Sequence, residues 1–533
     1  MKKRDSSAQP IATRQGSQPG TEEKKAQSAS AGAISEEQWA AWESHPLYRL
    51  FFPRSVALVG VSGKMTYGAA SFLQAMERFG YMERGDLYPV NPKYAGQMLH
   101  GYRCYESLSS LPQVPDYVLY GLPARKAPAF VEEAVTVGAR FVVLFTSGFN
   151  ETNREEGRAL AREIRAILAS DANRDEMGRR RLRVVGPNCL GIYNPAGGLA
   201  YFAGQSGEPG GRVSVISQSG GQGELLIEFF TQRGLPTRMC ASVGNSLDIG
   251  VTEILDFYRV DPFTEAVACY VEGLREGEGT RFVRLVRETT RTKPVAIWKT
   301  GRIKEAVSAI SSHTGVLAGD AEIFAAALRQ AGAVQADSME SLYDATAALL
   351  LCPGACRDGH LRVGIVGSGG GFSVDVVDTL GAHGLERARF TETTLKALSS
   401  ALPEINTFVI NPVDMGERGY DPAVFARVLE ICAMDENVDL LVVTRETERY
   451  PAFGTWFGIA DIGALYAQSI ADVAQKSGKP VFVIVTGVRT DLEAHRERRR
   501  FLEKLEAMGI PSFPTVGRAA GAAAALRAWS RAL

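Results

Sequence analysis

Short runs of consecutive apolar residues recur along the chain, each followed by a glycine-rich turn and then by a stretch of helical period. Three copies are clearest: Ser55-Val56-Ala57-Leu58-Val59-Gly60-Val61-Ser62-Gly63, Arg212-Val213-Ser214-Val215-Ile216-Ser217-Gln218-Ser219-Gly220-Gly221, and Arg362-Val363-Gly364-Ile365-Val366-Gly367-Ser368-Gly369-Gly370-Gly371. Apolar, β-branched runs without polar alternation predict strands covered on both faces, as parallel sheets flanked by helices require. Further runs at 141–145, 266–271, 440–444 and 481–486 alternate with helical patterns and extend each copy into a βαβ series. The expected class is α/β, with three doubly wound parallel-sheet domains of Rossmann-like and flavodoxin-like type. Ligands of such sheets bind beyond the carboxyl ends of the strands, where the glycine turns lie.

A length of 533 residues fits about three cores of ordinary size. The spacing of the units places a first domain at 46–198, a second at 199–351 and a third at 360–533. Residues 1–34 are mostly Ser, Gln, Ala, Gly, Lys and Glu and bury too little apolar surface to offset chain entropy; residues 1–45 are expected to form a disordered tail. Met1-Lys2-Lys3-Arg4 is not followed by the apolar core of a secretory signal, and no apolar run is long enough to span a membrane. With 59 basic and 60 acidic residues the formal charge is −1, so no single-signed field draws the chain to nucleic acid or a membrane surface. Seven scattered cysteines without paired C-x-x-C spacing fit a reducing cytoplasm. Cys352 and Cys356 read as a linker, since no second ligand pair accompanies them, and no metal site is expected.

Candidate chemistry concentrates at four places. His313, in Ser311-Ser312-His313-Thr314-Gly315-Val316-Leu317-Ala318-Gly319, is flanked by small hydroxyls and glycines. Such an imidazole is largely neutral at pH 7 and offers a lone pair for attack on phosphorus or acyl carbon; the same run also suits a loop histidine beside a helix cap. Ser219, Gly220 and Gly221 set bare amides at a predicted helix start, where the dipole favours an anion such as a phosphoryl group. Glu272, just past the run at 266–271, can accept a proton from one ring nitrogen of His313 and so select the other as nucleophile. The turn Val90-Asn91-Pro92-Lys93 ends a strand with a lysine where a nicotinamide dinucleotide site would need an acidic residue. Lys93 is either a solvated turn lysine or a partner for the phosphorylated ribose of coenzyme A.

Taken in order, Tyr88-Pro89-Val90-Asn91-Pro92-Lys93, Gly186-Pro187-Asn188-Cys189-Leu190-Gly191, Ser217-Gln218-Ser219-Gly220-Gly221, Ser312-His313-Thr314-Gly315 with Leu317-Ala318-Gly319, and Asn411-Pro412-Val413-Asp414 form a recognisable series. From about residue 50 onward the chain resembles the alpha subunit of ADP-forming acyl-CoA synthetases of the acetate-CoA ligase type, with succinyl-CoA synthetase a remoter relative. The resemblance implies reversible conversion of an acyl-CoA, ADP and phosphate to the free acid, CoA and ATP through an acyl phosphate and a phosphohistidine. It makes His313 the phosphorylated residue, Glu272 its supporting carboxylate, and Ser219, Gly220 and Gly221 the phosphate cradle. It places CoA against Gly60, Ser62, Asn91, Lys93, Pro123 and Asn188. Thr146-Ser147-Gly148-Phe149 stands where the family more often has Ser-Ala-Gly-Phe. No stretch reads as an ATP-grasp portion, and neither Gly63-Lys64 nor Gly478-Lys479 completes a P-loop. ATP or ADP with Mg is therefore expected on a separate ATP-grasp beta subunit, with a small carboxylic acid and its thioester as substrates. The alternative is a CoA-binding regulatory or scaffold protein of the same fold.

Overall fold

Every residue of strand β1 (Ser55–Val59) is buried, as an apolar run covered on both faces requires. The computed structural model describes residues 34–64, 68–207, 209–303, 305, 320–352 and 360–531. After β1 come β2 (Asp86–Val90), a small antiparallel hairpin of β3 (Met98–Leu99) and β4 (Tyr102–Arg103), then β5 (Tyr117–Tyr120), β6 (Phe141–Leu144) and β7 (Arg183–Val185). The first sheet is parallel, in the order β2-β1-β5-β6-β7.

The second sheet contains β8 (Gly191–Tyr193), β9 (Val213–Ser217), β10 (Thr237–Ser242), β11 (Ala266–Val271), β12 (Val295–Lys299) and β13 (Val334–Ala336), in the order β13-β12-β11-β9-β10-β8. The third contains β14 (Arg362–Gly367), β15 (Glu386–Arg387), β16 (Val413–Asp414), β17 (Leu440–Glu446), β18 (Val481–Thr486) and β19 (Ser512–Phe513). Its order is β15-β14-β17-β18-β19, with β16 against β14. Three sheets, parallel apart from one edge strand, alternating with helices are the α/β architecture that the apolar runs predict. Chain position and sheet membership part company at β8, which falls before residue 198 yet pairs antiparallel with β10 of the second sheet.

The first two sheets are stitched by backbone as well as packing. Val185 at the end of β7 forms a parallel bridge with Ile249. The amides of Leu247 and Asn245 donate to the carbonyls of Gly186 and Pro187, at 2.8 and 3.0 Å. Asp248, buried beside them, accepts from Arg180 (3.0 Å), Arg183 (2.8 Å) and the Val184 amide (2.9 Å). One continuous apolar core runs through both domains, with Leu58, Phe72 and Tyr117 on one side and Val215, Phe257 and Ile297 on the other. The third sheet has a core on each face, and one of these also takes Ala345, Ala348 and Leu349 from the helix Met339–Leu351. Buried Asp344 on that helix accepts from Arg518 Nε and Nη2 at 2.6 and 2.7 Å.

The end of the expected tail needs correction, because Glu36–Glu43 form a helix. Ser35 caps it, with Gln38 reaching back to the Ser35 amide at 3.0 Å. Trp42 is 0 % exposed and meets Tyr48, Phe52 and Phe263 edge-on at 5.1 to 5.7 Å. Two tryptophans three positions apart supply an apolar face that the polar average of the segment conceals. Under this helix lies a desolvated ion pair: Arg238 Nε and Nη2 reach Asp261 at 2.7 and 3.1 Å, with side chains 1 % and 0 % exposed. The guanidinium also lies 4.5 Å from the Phe263 ring centroid. Among the described residues no helix is long and apolar enough to cross a membrane.

Candidate active site

The turn after β9 leads directly into the helix Gly220–Thr231. Ser217 Oγ donates to the Ser219 carbonyl at 2.6 Å, and Ser219 Oγ accepts from the Gln222 amide at 3.3 Å, which fixes the entry angle. The amides of Gly220 and Gly221 belong to the first turn, where no intrahelical acceptor exists. A side chain at Gly220 would begin 3.1 Å from Leu190 Cγ, whereas Gly221 faces open space. Glycine thus keeps the amides accessible from the front.

That front is a cavity of about 420 Å³ at the junction of the first two domains. The second domain supplies Gln218, Ser219, Gly220 and Gly221, and the first supplies Gly121, the 145–147 turn and the 188–190 segment. Asn188 has a left-handed backbone, φ 57°, and donates its amide to the Thr146 carbonyl at 3.0 Å. The Leu190 amide is held by Ser242 Oγ at 3.0 Å. Cys189 also lines the cavity, but burial pushes its thiol up to about 12, so it stays protonated and unreactive.

Of the predicted residues, the structure brings Asn188, Ser219, Gly220 and Gly221 together in this cavity. Gly60, Ser62, Asn91, Lys93 and Pro123 stand along the same carboxyl edge of the first sheet without lining it. Asn91 ties two of its turns, donating to the Val61 carbonyl at 2.8 Å and accepting from the Lys93 amide at 3.1 Å. Gly60 adopts φ 95° and its amide donates to the Val90 carbonyl at 2.9 Å; a Cβ there would meet Leu122 at 3.0 Å. Ser62 Oγ donates to the Lys64 carbonyl at 2.9 Å. The Pro123 carbonyl accepts from the Tyr120 hydroxyl at 3.0 Å. Lys93 is exposed, its ammonium 5.4 Å from the Tyr94 ring centroid.

Glu272 lies behind the cradle, at the end of β11, and is buried. Its amide and that of Gly273 donate to Gln218 Oε1 at 2.6 and 3.0 Å, so one side chain couples the turn after β9 to the backbone at Glu272. Tyr270 donates its hydroxyl to Glu272 Oε1 at 3.2 Å, and Lys299 Nζ donates to the Glu272 carbonyl at 2.9 Å. Burial lowers the Lys299 ammonium to about 8, opposed by the nearby Glu272 charge. Sequence reasoning did not single out Gln218, Lys299, Phe145 or Leu190; Gln218 and Lys299 carried a weak signal, each standing at or just past the end of an apolar run. His313 lies outside the described residues. The segment that bears it leaves the sheet at Thr300, whose amide donates to the Val271 carbonyl at 3.0 Å, so it departs beside Glu272. The chain returns at Asp320, which caps the helix Ala321–Gln330.

Comparison with known proteins accords with this geometry. A CoA binding domain family matches residues 54–195, and the succinyl-CoA ligase like flavodoxin domain family matches residues 210–349. The acetate--CoA ligase [ADP-forming] I subunit alpha of Pyrococcus furiosus is 29 % identical over 490 residues, covering 91 % of this chain and 98 % of that one. The acetate--CoA ligase [ADP-forming] I of Archaeoglobus fulgidus is 31 % identical over 395 residues, covering 74 % of this chain; the aligned part is 54 % of that relative, so the chain spans about half its length. Among solved structures, the dinucleotide forming acetyl-coenzyme A synthetase 1 of Ca. Korarchaeum cryptofilum, in complex with phosphate and ADP, superposes with a TM-score of 0.75 at 28 % identity, covering 91 % of this chain and 97 % of that one. The chain therefore combines a region similar to CoA binding domains with one similar to the flavodoxin domain of succinyl-CoA ligases. In its full extent the chain is similar to the ADP-forming acetate--CoA ligases, aligning with nearly the whole of an alpha subunit and with about half of the longer relatives.

Proposed function

We propose that this chain is the alpha subunit of an NDP-forming acyl-CoA synthetase. The observation that carries the reading is the single cavity in which the helix amides of Gly220 and Gly221 meet Asn188 and the turn at Thr146 and Ser147. A phosphate on the amides there stands next to a thioester brought in along the first sheet. CoA, as substrate, supplies the thiol leaving group. A phosphate oxygen attacks the thioester carbonyl, the C–S bond breaks, and the sulfur leaves as CoA with a proton, giving an acyl phosphate. A ring nitrogen of His313 then attacks phosphorus, the P–O bond to the acyl group breaks, and the carboxylate departs. The phosphorylated ring passes its phosphoryl group to ADP on a separate ATP-grasp beta subunit, which would hold the nucleotide and Mg. Phosphoryl transfer of this kind demands positioning and charge stabilisation, which the helix N-terminus and Glu272 provide.

Two measurements test the reading. Calorimetric titration should show tighter binding of CoA than of NAD, and Lys93→Ala should weaken CoA by about 1 to 3 kcal/mol while affecting dephospho-CoA less, as a charge-assisted contact to the 3'-phosphate requires. Tighter binding of NAD would remove the assignment. The purified chain alone should form no ATP from acyl-CoA, ADP and phosphate, and should do so when an ATP-grasp subunit is added. Turnover by the isolated chain at an ordinary enzymatic rate would refute the two-subunit arrangement, and CoA binding without turnover in any assembly would favour a scaffold role.

A further inference from the structure

Resting on the acyl-CoA reading, we infer that Gln218 is a phosphate-binding residue of the cradle: its side-chain amide donates from Nε2 to the phosphoryl group held at the Gly220 and Gly221 amides. The described lining of the cavity contains no Lys, Arg, His, Asp or Glu. A phosphoryl group that enters it gives up part of its water and must be held by neutral donors, so each donor that faces it matters. The helix start supplies backbone amides. Gln218, one residue before the cap Ser219, adds a side-chain donor that is already set in place.

The orientation of this side chain follows from its partners. A glutamine amide accepts at one end and donates at the other. The Glu272 and Gly273 amides can only donate, and both reach the same end of Gln218, at 2.6 and 3.0 Å, so that end is the oxygen and the other is the NH2 group. The backbone is fixed as well: the Gln218 amide donates to the Tyr270 carbonyl at 3.2 Å, continuing the pairing of β9 with β11 just past Ser217. Gln218 is 2 % exposed. Nε2 therefore carries two hydrogens on a side chain almost wholly withdrawn from bulk water, and among the described residues neither has an acceptor, a costly state for a donor. The open space that the residue borders is the cavity. An anion on the helix amides supplies the missing acceptor, and the strand end at Glu272 serves to aim the donor at it.

Gln218→Glu separates the donor from the acceptor. The glutamate keeps the length and the oxygen on which the two backbone amides rest, and exchanges only the NH2 group for a charged oxygen. Calorimetric titration of the full chain with inorganic phosphate, at saturating CoA, should give a Kd about 10- to 100-fold weaker for Gln218→Glu than for the wild type, because a donor is lost and a like charge gained. The CoA Kd should not change. Between about pH 8 and pH 5 the ratio of the two phosphate Kd values should fall, since a protonated carboxyl donates again. The titratable groups beside the turn, Tyr270, Glu272 and Lys299, are common to both proteins and drop out of that ratio. A residue that only braces the backbone at Glu272 behaves otherwise: a charged oxygen accepts the two amides at least as well, and the phosphate Kd then stays at the wild-type value at every pH. That result overturns the inference, as does an equal loss of phosphate and CoA affinity, which marks general damage. Should Gln218→Glu fail to fold, Gln218→Met, of similar length and without a donor, carries the comparison, and wild-type phosphate affinity in it overturns the inference equally. Wild-type protein that binds CoA but no phosphate removes the phosphoryl group from the cradle and the inference with it, whereas wild-type protein that binds neither is a failure of the acyl-CoA reading itself.

Discussion

His313→Ala is expected to abolish ATP formation from acyl-CoA, ADP and phosphate, a loss on the order of 10⁴-fold or more, while CoA binding and folding are retained. Removing a covalent nucleophile leaves only the catalysis due to binding and orientation. The chain leaves the second sheet at Thr300, beside Glu272, whose backbone is tied through Gln218 to the turn after β9. The proposed part of Glu272 is to stabilise the positive charge that a phosphorylated imidazole carries. Glu272→Gln should accordingly slow transfer strongly without ending it. Incubation with labelled phosphate and acyl-CoA should leave an acid-labile, alkali-stable label in the wild type and none in His313→Ala. Full activity of His313→Ala, or a label that survives acid as a phosphoserine does, would remove the histidine from the mechanism.

Arg238→Met should cost about 3 to 5 kcal/mol of stability, because it strips the buried Asp261 carboxylate of its two-pronged partner and leaves only Lys293, which donates to the Asp261 carbonyl, as a cation nearby. Both side chains are almost wholly removed from solvent, so screening does not soften the effect. The matched double substitution Arg238→Met with Asp261→Leu should recover part of the loss, since the apolar pair has no charge to desolvate but takes an acceptor from Thr264 and the Phe263 amide and the opposite charge from Lys293. The readout is the shift of the urea unfolding transition in the full chain. A single substitution costing less than about 1 kcal/mol, or a double as unstable as the single, would show that the pair's charge is not what matters there. The same change should loosen the helix Glu36–Glu43, because Phe263 packs both against Trp42 and under the Arg238 guanidinium.

Legibility in the sequence followed how local the cause was. Strands β1, β9, β11, β14, β17 and β18 announce themselves because burial on both faces demands unbroken apolar runs. β8 does not: three residues beginning with glycine give no period, and its partner β10 lies some fifty positions on. The helix Glu36–Glu43 was hidden because one turn carrying two tryptophans was averaged into a polar tail. At the site, Ser219, Gly220 and Gly221 could be read from sequence, since a helix start that offers bare amides needs those residue types locally. Gln218 could not. Its side chain reaches Glu272 only because β9 and β11 are neighbours, with Ser217 in register with Tyr270, and that adjacency is a property of the sheet order. Phe145 and Leu190 likewise come to line one cavity only when two domains close on it. For His313, outside the described residues, the sequence supplies the expected chemistry and nothing in the described structure bears on the ring.

The seam between the first two sheets has a bearing on how such proteins can be recombined. Backbone bridges, a strand lent across the boundary and a common core mean that a gene broken near residue 198 would separate β8 from the strand it pairs with and expose apolar surface on both halves. Those two sheets are heritable only together. The third joins them through side chains, the Asp344 to Arg518 pair and the packing on the helix Met339–Leu351, with no strand exchanged among the described residues. A break there parts no strand from its sheet but opens the core shared with the helix Met339–Leu351 and strips the buried Asp344 of Arg518, so the third sheet travels best with that helix attached.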